Sequence, residues 1–126
     1  WSAKRELAKV NYRIHTDAIK ENIVPTLTEA QLKYVYADEA DLLNVALFGK
    51  TAAEWRKQNP TLKGNIRDYA TIEQLLVIAN MESYNAILIE QNVSQEERLK
   101  QLNNMAKSQL RVLEQSNSKL LTENRK

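Results

Sequence analysis

Apolar residues recur along the chain at the helical spacing of three and four positions, and this pattern predicts an all-α protein of about six helices. The most apolar stretch runs from Ile66 to Gln91, where apolar residues lie on nearly all sides of a helical wheel. A helix that is apolar all round is normally buried by its neighbours. Residues 71–91 are therefore predicted to form a buried central helix that shorter helices surround.

Long amphipathic helices are predicted at both ends of the chain. The first covers Ser2 to about Asn22 and ends before Val24-Pro25, because proline disfavours helix in the residue that precedes it. The last begins at Ser94 and carries a narrow apolar seam, which is what a helix offers to one partner helix. The seam is a candidate interface for a homodimer through the terminal helices, although it can instead fold back on the first helix. It comprises Leu99, Leu102, Ala106, Leu110 and Leu113.

Helix starts are marked by four capping boxes, in which a Ser or Thr side chain and the Gln or Glu three residues later satisfy each other's backbone amides. Asp38 is a further predicted N-cap, for a helix from Glu39 to Phe48, and Gly49 follows as the residue that ends it. A short helix through about Tyr34, another over 52–58 and a polar loop over 61–65 complete the predicted order. The four boxes are Thr28/Gln31, Thr51/Glu54, Thr71/Gln74 and Ser94/Glu97.

Length and composition agree with one helical domain. The chain has 126 residues, 43% of them hydrophobic, and only two Gly and two Pro for the turns that a sheet of many strands needs. We predict a single domain over residues 1–115 and a fraying helical or disordered tail over 116–126. Because the chain starts at Trp1 without an initiator Met, we interpret it as a fragment.

Charge and residue usage exclude several classes of function. The chain contains no Cys, which rules out disulfides, thiolate nucleophiles and Cys-based metal sites within it. It has no apolar run of the roughly 20 residues that span a bilayer and no signal peptide at its start, so a cytoplasmic protein without membrane contact is expected. Net charge is +2 at residues 1–22, −3 at 23–93 and +3 at 94–126, which is too mild to indicate nucleic-acid binding by itself.

A possible polar cluster centres on Glu82 of the central helix. Glu82 falls among apolar positions on the wheel, where a buried charge without a partner is costly. Two interpretations remain open: a buried ion pair with amide support, or a pocket with a perturbed carboxylate as general base. We favour the ion pair, because nothing beside Glu82 supplies a nucleophile, a metal or a cofactor loop. The predicted cluster comprises Glu82, Arg67, Arg56, Asn80 and Asn85.

Other candidate chemistry is weak. His15 and Asp17 are two residues apart and point about 200° apart on a helix, so they cannot share a metal. Lys63 to Arg67 has a surface likeness to the phosphate loop of adenylyl-transferring Fic enzymes but lacks its second glycine. The tyrosines and Trp55 are scattered among apolar residues, which favours core packing over base stacking. We therefore predict no catalytic residue, no metal, no cofactor and no enzymatic activity.

Five runs of the sequence are similar to runs of a known family: Ile14–Asn22, Asp41–Gly49, Thr51–Arg56, Asn59–Tyr69 and Met81–Ala86. With them most of the chain, roughly Trp1 to Leu113, resembles the C-terminal region of bacterial KilA-N domain-containing proteins. In that family the N-terminal KilA-N domain is regarded as the DNA-binding module, and it is found in proteins of phages, large DNA viruses and bacteria. That domain is missing from this chain, so DNA contact is expected only through it.

The amphipathic, basic helices predicted at both ends, taken with this resemblance, lead us to expect a non-enzymatic helical accessory or oligomerisation domain that follows a KilA-N DNA-binding module in a bacterial or phage-derived protein. Two alternatives stay open. One is a small ligand-binding domain or enzyme with a polar pocket around Glu82. The other is a protein-recognition module of a mobile element, similar to an antitoxin.

Overall fold

The computed structural model describes residues 23–124, and every regular element in this range is helical. This confirms the all-α prediction for the described part of the chain, whereas the predicted first helix over residues 2–22 lies outside it. The elements in chain order are α1 (Glu29–Lys33), α2 (Glu39–Phe48), α3 (Ala52–Gln58), a 3-10 helix (Ile66–Tyr69), α4 (Ile72–Glu90) and α5 (Gln95–Asn124).

The capping residues act as the sequence predicts. Thr28, Thr51 and Thr71 each accept a hydrogen bond of 3.1 Å from the amide three residues later, and the reciprocal side-chain bond is present in all three boxes. At α5 the amide of Glu97 donates to Ser94 Oγ at 3.3 Å. A further box, between Asn65 and Asp68, opens the 3-10 helix and was not predicted. Local side-chain chemistry therefore sets where these helices begin.

Gly49 ends α2 in the left-handed conformation, with φ of 75°. A Cβ at this position would also lie 2.5 Å from Cγ of Pro25. Glycine is needed here for two reasons, the positive φ and the close approach of the chain. Without a side chain at residue 49, Pro25 can lie against the C-terminal end of α2.

The hydrophobic core lies between α2, α4 and α5. Leu99, Leu102, Ala106 and Leu110 of α5 are at most 2% exposed, and Leu113 packs against the same cluster while partly buried. Each fully buried Leu side chain contributes about 1.5–3 kcal/mol through removal from water. The predicted interface seam is therefore the core of this chain itself and is not available to a partner.

The position of α4 is predicted correctly, but the prediction that it is buried on all sides is wrong. The helix spans Ile72–Glu90, close to the predicted 71–91, but only one of its sides is buried. Leu76 and Ile87 on the opposite side are each 49% exposed. The buried residues of α4 are Gln74, Val77, Ile78, Met81, Asn85 and Leu88.

A smaller unit is formed by α3 and the 3-10 helix. Trp55 is 1% exposed, and its ring lies 5.3 Å from the ring of Tyr69, measured between centroids. The Arg56 guanidinium donates to the carbonyl oxygens of Leu62 and Gly64 and closes the loop between the two helices. This loop is held by its own contacts, and Arg67 links the unit to α2 through a hydrogen bond to Asn44.

Candidate functional site

A buried polar cluster joins the three core helices at one end of the bundle. Nη1 of Arg98 on α5 lies 2.5 Å from Oε1 of Glu39 on α2 and 2.9 Å from Oδ1 of Asn85 on α4. Nδ2 of Asn85 donates to the same carboxylate at 2.8 Å, and Nε of Arg98 donates to the carbonyl oxygen of Val93 at 3.1 Å. Arg98 is 7% exposed, so its charge is balanced inside the protein.

The environment of Glu39 sets the protonation of this cluster. Burial alone would raise the pKa of Glu39, but the hydrogen bonds from Arg98 and Asn85 and the charge of Arg98 outweigh it and lower the pKa below its ordinary value. A carboxylate with a lowered pKa is a poor general base at neutral pH. The Glu39 carboxylate also accepts hydrogen bonds from two side chains, Arg98 and Asn85. The cluster is therefore suited to holding helices together and not to proton transfer.

The five residues of the predicted cluster do not converge. Glu82 is exposed on α4, Asn80 donates from Nδ2 to Oε1 of Gln109 at 3.0 Å, and Arg67 donates from Nε to Oδ1 of Asn44 at 3.3 Å. Arg56 donates to carbonyl oxygens of the loop between α3 and the 3-10 helix. Of the five, only Asn85 contacts an ion pair, the one between Arg98 and Glu39, so the prediction of a cluster or pocket centred on Glu82 is wrong.

The error follows from the apolar wheel of α4. Apolar residues lie on two opposite sides of this helix, and the pattern alone does not say which side faces the core. The core takes the side of Val77, Met81 and Leu88, and Glu82 lies towards the other one. An ion pair with amide support does exist, but it joins the buried Arg98 to the partly exposed Glu39, and sequence reasoning missed both residues.

Once the core side of α4 is known, Asn85 points to them. Asn85 lies four residues after Met81 and three before Leu88, at a position that the core side of α4 requires to be buried. A buried amide needs hydrogen-bonding partners, so a polar group on a neighbouring helix was to be expected. The polar residues in the first turns of α2 and α5 are the nearest candidates for these partners, because both helices contribute to the core.

Two amide side chains of α5, the buried Asn103 and the partly buried Gln95, bind backbone groups of preceding segments. Nδ2 of Asn103 donates to the carbonyl oxygens of Pro25, at 3.1 Å, and Ala46, at 2.9 Å. Gln95 accepts from the backbone amide of Tyr36 at 2.9 Å and donates to its carbonyl oxygen at 3.0 Å. The chain therefore enters the fold on the side of α5 that faces α2.

A surface groove lies between α1 and the start of α3. Its volume is about 350 Å³. Tyr34 is 62% exposed beside it, with its ring centroid 4.8 Å from that of Tyr36, whose hydroxyl donates to the carbonyl oxygen of Gln31 at 3.0 Å. Glu82 is not part of this groove. The residues that line it are Ala30, Gln31, Tyr34, Tyr36, Thr51 and Glu54.

The side of α4 that points away from the core is exposed and mostly apolar, with Ser83 at its centre and the exposed Glu90 in line with it at the C-terminal end of the helix. We call it the outer face of α4 and define it by five exposed residues at helical spacing, three of which are small. Neighbouring polar contacts do not cover it, because Tyr84 and Asn80 reach Gln101 and Gln109 of α5 along one edge only. The outer face comprises Leu76, Ala79, Ser83, Ala86 and Ile87.

Residues 23–124 contain neither a metal site nor a membrane-spanning helix. In this range no three His, Asp or Glu side chains converge as metal ligands. Nor does any helix there combine the length and hydropathy of a membrane span.

Comparison of the chain with protein-family models, with curated proteins and with solved structures gives no match.

Proposed function

We propose that this chain is a non-enzymatic helical interaction domain that brings copies of a longer protein together and accompanies a KilA-N type DNA-binding module. The link to DNA binding rests on the resemblance given above. The self-association part is supported by one observation, the uncovered outer face of α4.

Single exposed apolar residues are common on protein surfaces, but an aligned stripe of them marks an interaction surface. Leu76 and Ile87 are each 49% exposed and lie on one side of one helix with three small residues between them. An amphipathic surface helix would carry charged or polar side chains there. Covering the stripe with another helix would remove this apolar area from water.

The burial of the α5 seam favours another helix as the interaction surface. The seam of α5, which the sequence offers as the candidate interface, is buried against α2 and α4. Self-association through that seam would require the core to open. The outer face of α4 is accessible without any change of the fold, so we assign the interaction to it.

The alternative functions have less support. An enzyme centred on Glu82 would need further groups beside it, and this residue lies exposed on the edge of an apolar face. A small-ligand function would use the groove beside Tyr34 and Tyr36, which contains no part of the predicted cluster. An antitoxin-like module would bind a different protein through the outer face of α4.

Light scattering with two matched variants tests the proposal. Ser83→Glu places a carboxylate in the middle of the outer face, and Ser108→Glu makes the same change at an exposed position of α5. We expect the wild-type mass to rise from 14.5 kDa towards twice that value as concentration increases. Ser83→Glu should weaken association at least tenfold, which is about 1.4 kcal/mol, because a buried unpaired carboxylate is costly.

The control variant Ser108→Glu should associate as the wild type does. Both changes replace Ser by a better helix former at an exposed site, so neither should disturb folding. A chain that stays monomeric at all concentrations, or equal association of both variants, would contradict the proposal.

A further inference from the structure

We propose that the groove between α1 and the start of α3 binds a small organic amine through its alkylammonium group. The charged nitrogen lies beside the Glu54 carboxylate and the alkyl chain against the ring of Tyr34. None of the residues that line the groove belongs to α4, so this site is separate from the outer face of α4 and does not depend on self-association.

The charge of the groove favours a cation. Glu54 is the one charged residue among the six that line it. Lys33 and Lys50 flank lining residues in the sequence, but neither lines the groove, and Nζ of Lys50 lies 2.8 Å from Oε1 of Gln58. A ligand in the groove therefore meets a negative side chain and no positive one.

The Glu54 carboxylate has one oxygen available for a ligand. Its Oε1 accepts a hydrogen bond of 2.8 Å from the amide of Thr51 in the capping box of α3, and its Oε2 accepts none within residues 23–124. Burial raises the pKa of the Tyr36 hydroxyl, and the negative charges of Glu54 and Asp41 raise it further. The charge of Glu54 thus acts on the groove, where a cation would be attracted.

Two further polar side chains of the groove are already bonded within the chain. Nε2 of Gln31 donates to the carbonyl oxygen of Gly49 at 2.9 Å, and its Oε1 accepts from the amide of Thr28 at 2.9 Å. The Tyr36 hydroxyl donates its proton to the carbonyl oxygen of Gln31 at 3.0 Å. An anionic ligand would need donors that are not in use, so the carboxylate and the tyrosine rings remain as the main recognition groups.

The tyrosine rings supply the aromatic and apolar part of the site. The ring centroids of Tyr34 and Tyr36 are 4.8 Å apart, with an angle of 58° between the planes. Tyr36 is 5% exposed, so Tyr34, at 62%, is the ring that a ligand can reach. An aromatic face attracts a cation within about 6 Å of its centroid, and an alkyl chain gains by leaving water. An alkylammonium group combines the two properties.

The size of the groove indicates a small ligand. Its volume of about 350 Å³ lies at the low end of small-molecule pockets, which measure about 300–1,000 Å³. A protein partner would cover about 20–30 residues, many more than line this groove. A metal ion fits poorly, because Ca²⁺ takes about 6–8 oxygen ligands and the lining offers one carboxylate. Because Tyr34 is largely exposed, we expect a dissociation constant of millimolar order.

Amide chemical shifts measured by NMR test the binding of n-butylammonium chloride, added to about 50 mM at constant ionic strength. The amides of residues 30–36 and 51–54 should shift with a dissociation constant of millimolar order. The neutral n-butanol has nearly the same shape and should bind about fivefold more weakly, because it lacks the charge.

Two matched pairs of variants locate the recognition groups. Glu54→Gln removes the charge but keeps the capping box, which Gln also completes, and should weaken binding about fivefold. Glu97→Gln makes the same change at the start of α5 and should leave binding unchanged. Tyr34→Leu should weaken binding about threefold, whereas Tyr34→Phe, which keeps the ring, should bind as the wild type does.

Four results would overturn the inference. They are the absence of shifts at about 50 mM, equal binding of n-butanol, equal effects of Glu54→Gln and Glu97→Gln, and much tighter binding of Nα-acetyl-lysine N-methylamide. That compound carries the same butylammonium group on a peptide unit, so a gain of about tenfold would assign the groove to a lysine of a protein partner. None of these results bears on the light-scattering test of the outer face of α4.

Discussion

The two long helices of the core, α4 and α5, relate to their surroundings in opposite ways. The helix that is apolar on nearly every side, α4, is covered on one side and leaves Leu76 and Ile87 half exposed. The helix with a narrow stripe, α5, buries that stripe from Leu99 to Leu110. The width of the apolar stripe in the sequence therefore does not predict which helix leaves apolar surface exposed in the folded chain.

Polar residues explain why a narrow stripe is enough for α5. Arg98 and Asn103, next to the stripe, are 7% and 6% exposed, and each is bound to groups of other elements. They extend the buried surface of α5 without adding apolar residues to it. On α4 the apolar residues exceed what α2 and α5 can cover, and the surplus forms the outer face.

The largest effect is expected from shortening Leu102 in the α5 seam. Leu102 is 0% exposed, so Leu102→Ala should lower the free energy of unfolding by about 2–5 kcal/mol through lost burial and the cavity that remains. Leu76→Ala makes the same change at a side chain that is 49% exposed and should cost below about 1 kcal/mol in the monomer. Urea unfolding followed by circular dichroism at low protein concentration measures both. Equal losses would mean that the outer face of α4 is as important to folding as the seam.

A smaller effect is expected from the polar group that ties α5 to α2. Glu39→Gln should lower the free energy of unfolding by about 1–2 kcal/mol at pH 7, because Arg98 keeps its other acceptors but loses the carboxylate charge. The Glu39 side chain is 43% exposed, which places the loss near the lower end of that range.

The pH dependence follows from the lowered pKa of Glu39. Its folded pKa lies below its unfolded value, about 4.3, so the unfolded state binds more protons between the two values. The stabilisation by Glu39 is therefore complete above that range and is lost as the pH falls through the folded pKa. The difference between wild type and Glu39→Gln should shrink from pH 6 to pH 3 in urea unfolding, and a constant difference would contradict the pairing with Arg98.

Helix positions were predictable from the sequence because their causes are local. Thr28, Thr51 and Thr71 each bind the amide three residues later. Gly49 adopts its positive φ directly after the last turn of α2. The 3-10 helix was missed, although Asn65 and Asp68 form a box of the same kind. Its four residues are too few for an apolar period to mark them.

The partners of the polar residues were not predictable in the same way. Glu39 and Arg98 are 59 positions apart, and they meet only because α2 and α5 pack together. Glu82 looked buried because the wheel of α4 has two apolar sides of similar strength. Which side faces inward depends on the packing of the other helices, and no residue within α4 specifies it.

The smallest effect is expected at Glu82, and it sharpens the contrast between the two sides of α4. An ion pair at Glu82 would make Glu82→Gln as costly as Glu39→Gln, since both substitutions remove one carboxylate charge and keep the shape of the side chain. Glu82 is exposed, so Glu82→Gln should change the free energy of unfolding by no more than about 0.5 kcal/mol. Both variants are measured in the same urea titration. A loss of unfolding free energy as large as that of Glu39→Gln would mean that Glu82 is buried. It would also remove the outer face as the place where a second copy binds.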